Sequence, residues 1–167
     1  MSGPKSRLIE RPAAERFMRR AIALGRRGMK AGHGGPFGAV VVRHGAIVGE
    51  GWNRVVASGD PTAHGEIVAI RAACRRLGRF RLSGCDLYTS GEPCPMCVSA
   101  IYWARIDRIF FGFTVDDAAR IGFDDRLIHR QLLKPAGRRT IRAVQLLAGE
   151  ARALAREYAA KPRRAKY

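Results

Sequence analysis

Two short runs, His64-Gly65-Glu66 and Pro93-Cys94-Pro95-Met96-Cys97, restrict what this chain can fold into more than any other feature. Each stands at the start of a predicted helix. Cys94 follows His64 by 30 positions and Cys97 lies three further on. Residues three apart on a helix share a face, so the two thiols point the same way. A helix start carries partial positive charge, which favours thiolate over thiol. If the fold brings both helix starts to one point, two thiolates and one imidazole make a soft, tetrahedral donor set suited to Zn²⁺.

Three protein ligands is the informative number. A structural zinc site usually closes with four, whereas three leave a corner for water. Zinc lowers the pKa of such a water to roughly 7. Glu66 sits two residues past His64, beside the metal and not on it. From there it can take a proton from the water and pass it to a ring nitrogen of a substrate. A structural zinc has no need of that carboxylate. A lone Cys-x-x-Cys also fits redox pairs; the two halves together point to a catalytic metal. Cys74 and Cys85 read as core or strand residues, and His33, His44 and His129 as loop or surface residues.

Hydrophobic spacing supplies the frame. Phe17, Ala21, Leu24 and Gly28 recur at spacings of four, three and four, predicting a first helix from Pro12 that stops at Gly32, Gly34, Gly35 and Pro36. A hairpin is expected from strands over 37–43 and 47–52, turning at His44-Gly45. After a loop, Ile67, Ile70, Cys74 and Leu77 mark the buried stripe of a helix, with Arg71, Arg75 and Arg76 facing away. Asp60 or Thr62 is the expected cap, with Pro61 at the start. A strand over 85–89 and a turn over 91–93 lead to a helix over 95–104. Next come a strand over 106–111, a short helix over 115–120, and a helical segment opening at Gly122-Phe123-Asp124-Asp125 and running to 133. Lys134-Pro135-Ala136-Gly137 breaks it. A last strand over 141–147 and a last helix over 150–160 complete the order. This succession predicts an α/β domain of three layers, α/β/α, around a central mixed sheet.

At 167 residues the chain is expected to form one domain over 12–167, behind a basic tail over 1–11. Its longest apolar stretches fall far short of the ~20 residues of a spanning helix, so no membrane partner is expected. The N-terminus lacks the apolar core of a signal peptide, so the expected location is cytoplasmic. The formal net charge is +17. It admits a nucleic-acid partner without requiring one.

The H-x-E…P-C-x-x-C pattern is the signature of zinc-dependent nucleobase deaminases. Over nearly its whole length the chain resembles the cytidine deaminase superfamily, and within it the bacterial guanine deaminase branch. The likeness runs from Gly34-Gly35-Pro36-Phe37-Gly38-Ala39-Val40 and Asp60-Pro61-Thr62-Ala63-His64 to Glu92-Pro93-Cys94-Pro95-Met96-Cys97 and Ala100-Ile101-Tyr102-Trp103-Ala104-Arg105. Gly122-Phe123-Asp124-Asp125 and the terminal Lys166-Tyr167 carry the resemblance to the branch.

That resemblance implies hydrolysis of guanine to xanthine and ammonia. It implies His64, Cys94 and Cys97 as zinc ligands and Glu66 as the proton shuttle. Asn53 would hydrogen-bond the base, Asp125 would contact the departing amino group, and Tyr167 would close over the pocket. It further implies a homodimer that exchanges the C-terminal segment, about 141–167. Guanine's C2 amine beside N1–H presents donors, which suits an acceptor carboxylate such as Asp125. Phe37 and Trp103 are candidate walls for the base. Two positions depart from the family pattern: Gly65 replaces the usual Ala and still offers its backbone N–H to the substrate, and Gly91 stands where the branch often has Cys. Other readings remain: deamination of a related amino-heterocycle or nucleoside such as ammeline or guanosine, a tRNA adenosine deaminase, or a zinc-stabilised nucleic-acid-binding module.

Overall fold

A computed structural model describes residues 11–163. They fall into two units that divide between Asp125 and Arg126. The first contains α1 (Arg11–Lys30), β1 (Gly38–Arg43), β2 (Ala46–Trp52), α2 (Val55–Ser58), α3 (Gly65–Leu77), β3 (Cys85–Gly91), α4 (Pro95–Ala104), β4 (Arg108–Phe113) and α5 (Val115–Arg120). The strands form one sheet in the order β2-β1-β3-β4. β1 runs antiparallel to both neighbours, while β3 and β4 are parallel. The sheet is therefore mixed, as the element order predicts.

Period-two alternation explains the layers. Ala39 and Val41 of β1 face one side, where they pack with Leu87, Ala69, Ala73, Ile101 and Ala104 beneath α3 and α4. Val40 and Val42 face the other side and meet Tyr88, Phe17 and Leu24 beneath α1. β1 is covered on both faces, which is why it reads as an unbroken run of valines instead of an alternating strand. The expected stripe of α1 is buried at Phe17, Ala21, Leu24 and Gly28.

On α3 the expected stripe packs against the core, but it does not carry the deepest residues of the helix. Ile67 is buried, but Ile70, Cys74 and Leu77 are half-buried, and Ala69 and Ala73 are fully covered. The cause lies in the strand beneath. A Cβ at Gly51 would stand 2.5 Å from the Ala69 nitrogen, and one at Gly49 would stand 2.7 Å from the Ala73 nitrogen. Helix backbone thus rests almost directly on strand backbone, and small residues line the contact. This close approach fixes the height of α3 over the sheet, and with it the position of His64.

Other expectations need correction. α3 begins at Gly65 with His64 in the capping position and no side-chain cap. Asp60 instead closes a local turn, accepting from the Thr62 amide and hydroxyl at 2.8 and 2.7 Å, so neither Asp60, Thr62 nor Pro61 starts the helix. Gly91 belongs to β3 and not to a turn, and β4 lies two residues later than expected. α2 interrupts a stretch expected to be loop. Residues 1–10 lie outside the described residues, and α1 already opens at Arg11, the last residue of the expected tail.

The second unit holds α6 (Arg126–Leu132), a 3-10 turn (Ala136–Arg138) and α7 (Ala148–Ala160). The break at Lys134–Gly137 and both helices match expectation. The strand expected over 141–147 does not form. Ile141, Val144, Leu146 and Leu147 are exposed there. A strand without a neighbour leaves its N–H and C=O groups unpaired, so the alternating sequence alone does not hold it.

Two outcomes follow from this packing. Gly51→Val should lower unfolding stability by about 1–3 kcal/mol or more in urea melts, because a branched side chain must separate α3 from β2. Arg20 on α1 grips Glu50 on β2 with two bonds of 2.7 and 2.8 Å, and that bond holds the Glu50 carboxyl below its ordinary 4.5. A carboxyl with a lowered folded-state pKa contributes stability above its unfolded value and loses it as pH falls through the folded one. Glu50→Gln should therefore cost less than about 1 kcal/mol at pH 7, the pair being partly exposed. The difference from wild type should fade in acid melts below pH 4.5.

Candidate active site

Strand direction gathers the site at one edge of the sheet. β1 enters opposite the ends of β2 and β3, with Gly38 facing Trp52 and Ala39 facing Thr89. Phe37 before β1, Asn53 after β2 and Glu92 after β3 therefore come out together. Local bonds lock the edge. The Asn53 amide donates to the Phe37 carbonyl at 2.8 Å, and the Glu92 amide to the Phe113 carbonyl at 2.8 Å. The Ser90 hydroxyl accepts from the Gly38 amide and donates to the Pro36 carbonyl, both at 3.0 Å. The Glu92 carboxylate accepts from the Val115 amide at 3.1 Å, at the start of α5.

Two helices open onto this edge. His64 caps α3 and Cys94 caps α4, both with extended backbone, and Pro95 fits the first turn of α4 because that position needs no N–H donor. The Nδ1 atom of His64 lies 3.5 Å from the Cys94 sulfur and 3.6 Å from the Cys97 sulfur. The three donor atoms lie within 4.8 Å of one another. Zinc bonds of ~2.3 Å to sulfur and ~2.05 Å to nitrogen at a tetrahedral angle imply a sulfur–nitrogen separation of about 3.6 Å. The donor triangle thus already has the dimensions of a zinc site.

Electrostatics at this point are unusual for a protein interior. Glu66, in the first turn of α3, is only 4% exposed. Burial is the main cause that pushes its carboxyl above the ordinary value, with the Cys94 charge adding to it. The thiols behave as a pair that shares one proton. Their mutual hydrogen bond draws Cys94 down to about 4, helped by His64, and pushes Cys97 upward together with burial. The bond to Cys94 raises His64. A cation bound here replaces that shared proton and satisfies all three donors at once.

The remaining predicted residues are placed as follows. Asn53 is 4% exposed, and its side-chain oxygen accepts from the Val55 amide at 3.2 Å. That bond fixes the amide with its NH₂ group directed away from Val55. Gly65 lets the tip of α3 rest against β1: a Cβ there would lie 2.9 Å from the Phe37 carbonyl. Phe37 packs against Phe113 at 5.5 Å and edge-on against Phe123 at 4.9 Å between ring centres. Gly91 makes room for this cluster, since a Cβ would reach 2.5 Å from the Phe113 ring. Through Phe123 the 122–125 segment is tied to the site edge, and Asp125 is partly buried at its end. Trp103 stands six residues past Cys97, ~9 Å further along α4, and is 59% exposed. Tyr167 lies outside the described residues.

Sequence reasoning missed Ser90, Glu92 as a tie to α5, and His33. His33 does lie in a loop, yet its ring accepts a bond from Trp52. None of the three carries a metal-binding or periodic signal, and their roles depend on register.

Residues 11–113 match the family model for the cytidine and deoxycytidylate deaminase zinc-binding region. The chain belongs to this deaminase family. It is 55% identical over 127 residues to a guanine deaminase of Bacillus subtilis, spanning 76% of this chain and 81% of that one. The X-ray structure of guanine deaminase from Bacillus subtilis matches with a TM-score of 0.88 at 48% identity, covering 92% of this chain and 98% of that one. A structure from work on A-to-I editing by tRNA:A34 deaminases matches less well, with a TM-score of 0.60 at 34% identity, covering 77% of this chain and 95% of that one. Zinc is the cofactor of this deaminase domain. Among the described residues, His64, Cys94 and Cys97 are the group of side chains that converges closely enough to hold a metal ion.

His64→Ala and Cys97→Ala should each reduce zinc from one per chain to well below that by elemental analysis. Cys74→Ala, outside the cluster, should leave it at one.

Proposed function

We infer that this protein is a zinc-dependent deaminase that hydrolyses guanine to xanthine and ammonia. The observation that carries the reading is the meeting of a buried carboxyl, Glu66, with a three-donor metal site at the tips of two helices. A purely structural zinc site leaves such a carboxyl without employment. The similarity to the guanine deaminase of Bacillus subtilis supports the choice of base.

His64, Cys94 and Cys97 hold the metal in this reading. A zinc ion held by these three side chains would supply Lewis acidity, making a water available as hydroxide near neutral pH. Glu66 takes the proton that the water gives up, and its raised pKa suits it to hold that proton between transfers. It delivers the proton to the ring nitrogen beside C2 as the new C–O bond forms. Glu66 then takes the remaining proton from the new C2 hydroxyl and gives it to the amine; the C2–N bond breaks, ammonia leaves and C2 keeps a carbonyl. Asp125 accepts a bond from the amino hydrogens and orients the leaving group. Asn53, its oxygen occupied by Val55, turns its NH₂ toward an acceptor on the opposite edge of the purine. Phe37 walls the base, and the Gly65 N–H offers a further donor.

The same reading includes a cytoplasmic homodimer in purine breakdown, with the 141–167 segment exchanged between copies and Tyr167 closing the partner's pocket. Exposed Ile141, Val144, Leu146 and Leu147 support it. So do β4, with Ile109 and Phe111 exposed at the end of the strand order, and an apolar groove of about 360 Å³ lined by Met18, Tyr88, Ile109 and Phe110. Reduced thiols fit the cytoplasm. No helix among the described residues is long and apolar enough to cross a membrane. The net charge of +17 favours one second reading, a tRNA adenosine deaminase.

An ammonia-release assay over guanine, guanosine, ammeline, adenine, cytosine and a tRNA anticodon stem-loop separates these readings. Guanine should be turned over and the stem-loop should not; the reverse pattern would overturn the choice of substrate. Glu66→Gln should keep one zinc per chain and lose at least ~10²–10⁴-fold in kcat. Asp125→Asn should lower kcat/KM for guanine without changing the melting temperature.

A further inference from the structure

We propose that His33 is a positioning residue for the base-binding pocket, acting through a clip to Trp52 that holds Asn53 in place. The inference rests on the deaminase reading for its kinetic consequence and on geometry for the clip itself.

His33 joins three chain segments at once. Its amide donates to the Gly28 carbonyl at the end of α1, at 3.0 Å. Its carbonyl accepts from both the Val56 and Ala57 amides at 3.1 Å, so it holds the first turn of α2. Its ring nitrogen Nδ1 accepts from the Trp52 indole N–H at 3.0 Å, with the two rings nearly parallel and 6.2 Å apart. Trp52 is itself held: Gly28 leaves the space its ring fills, and the Arg27 guanidinium lies 5.2 Å over its face.

Asn53 sits inside this frame. It follows Trp52 directly, and its side-chain oxygen is bonded to Val55, at the start of the turn that His33 holds. On the other side it meets Gly34, the residue after His33. A Cβ at Gly34 would collide with the Asn53 oxygen and lie 2.9 Å from Cγ. Two of the residues around Asn53, Trp52 and Gly34, are therefore a hydrogen-bond partner and a sequence neighbour of His33, and a third, Val55, opens the turn that His33 holds. An indole N–H can only donate, so the clip requires an acceptor at position 33. A histidine accepting at Nδ1 carries its proton on Nε2 and is neutral. The role needs an acceptor two bonds beyond Cβ, which an Asn side-chain oxygen also provides.

The test compares His33→Leu, His33→Asn and Trp52→Phe in the zinc-loaded full chain. His33→Leu and Trp52→Phe should each raise KM for guanine about three- to tenfold, the worth of one neutral hydrogen bond. Neither should change kcat more than twofold or zinc content. Together they should act no more strongly than either alone, and His33→Asn should restore KM to near the wild-type value. Amide exchange at residues 55–57 should quicken in His33→Leu and recover in His33→Asn. Unchanged KM in His33→Leu, or equal losses in His33→Leu and His33→Asn, would overturn the inference and leave the deaminase reading standing. If wild-type protein is inert toward guanine, the substrate reading falls instead. The exchange measurement then decides the clip by itself: the pattern above supports it, and unaltered exchange in His33→Leu overturns it.

Discussion

Two helix tips aimed at one point are the constraint on which the rest of the molecule depends. Each tip has backbone N–H groups without helical partners and a partial positive charge. Bringing two together is unfavourable unless something anionic lies between them. The Cys94 thiolate, hydrogen-bonded to Cys97, meets that need. Each helix is in turn held by the sheet: α4 follows β3 across the short connection 92–94, and α3 is lowered onto β2 by Gly49 and Gly51. The metal site is thus as rigid as the sheet edge that carries it.

The same edge explains why a carboxyl survives in a nearly closed interior. A buried acid is costly when ionised. At Glu66 that penalty raises the affinity of the carboxyl for a proton, right beside the three metal donors. Local rules are broken here in several ways at once. A histidine and a cysteine occupy capping positions that usually favour small oxygen-bearing side chains. Such concentrated violations mark sites shaped by chemistry and not by stability.

Most of the core and the metal donors were legible from sequence because their signals are local. The period of Phe17, Ala21 and Leu24 reports one helix face, and the spacing of Cys94 and Cys97 reports one helix turn. Asp60 misled as a cap because its side chain found a nearer partner in Thr62. The 141–147 segment misled because alternation states a readiness to pair, while pairing needs a second strand. Ser90 and His33 were invisible for a related reason. Their roles arise from which residues stand opposite them in space, and a single chain read in order does not reveal that. α3 shows an intermediate case: the helix was plain, but its deepest residues, Ala69 and Ala73, were set by glycines on another element.

The hydroxyl of Ser90 has a wider mechanical consequence. It ties the entry of β1 to the end of β3, and Phe37 in turn receives the Asn53 amide. This side of the cleft must therefore shift as one block or not at all. Across from it, Phe123 is 43% exposed and touches Phe37 ring against ring, a contact that can slide without rupturing a directional bond. The sheet edge is accordingly stiff where directional bonds cross it and compliant where one aromatic ring merely rests on another.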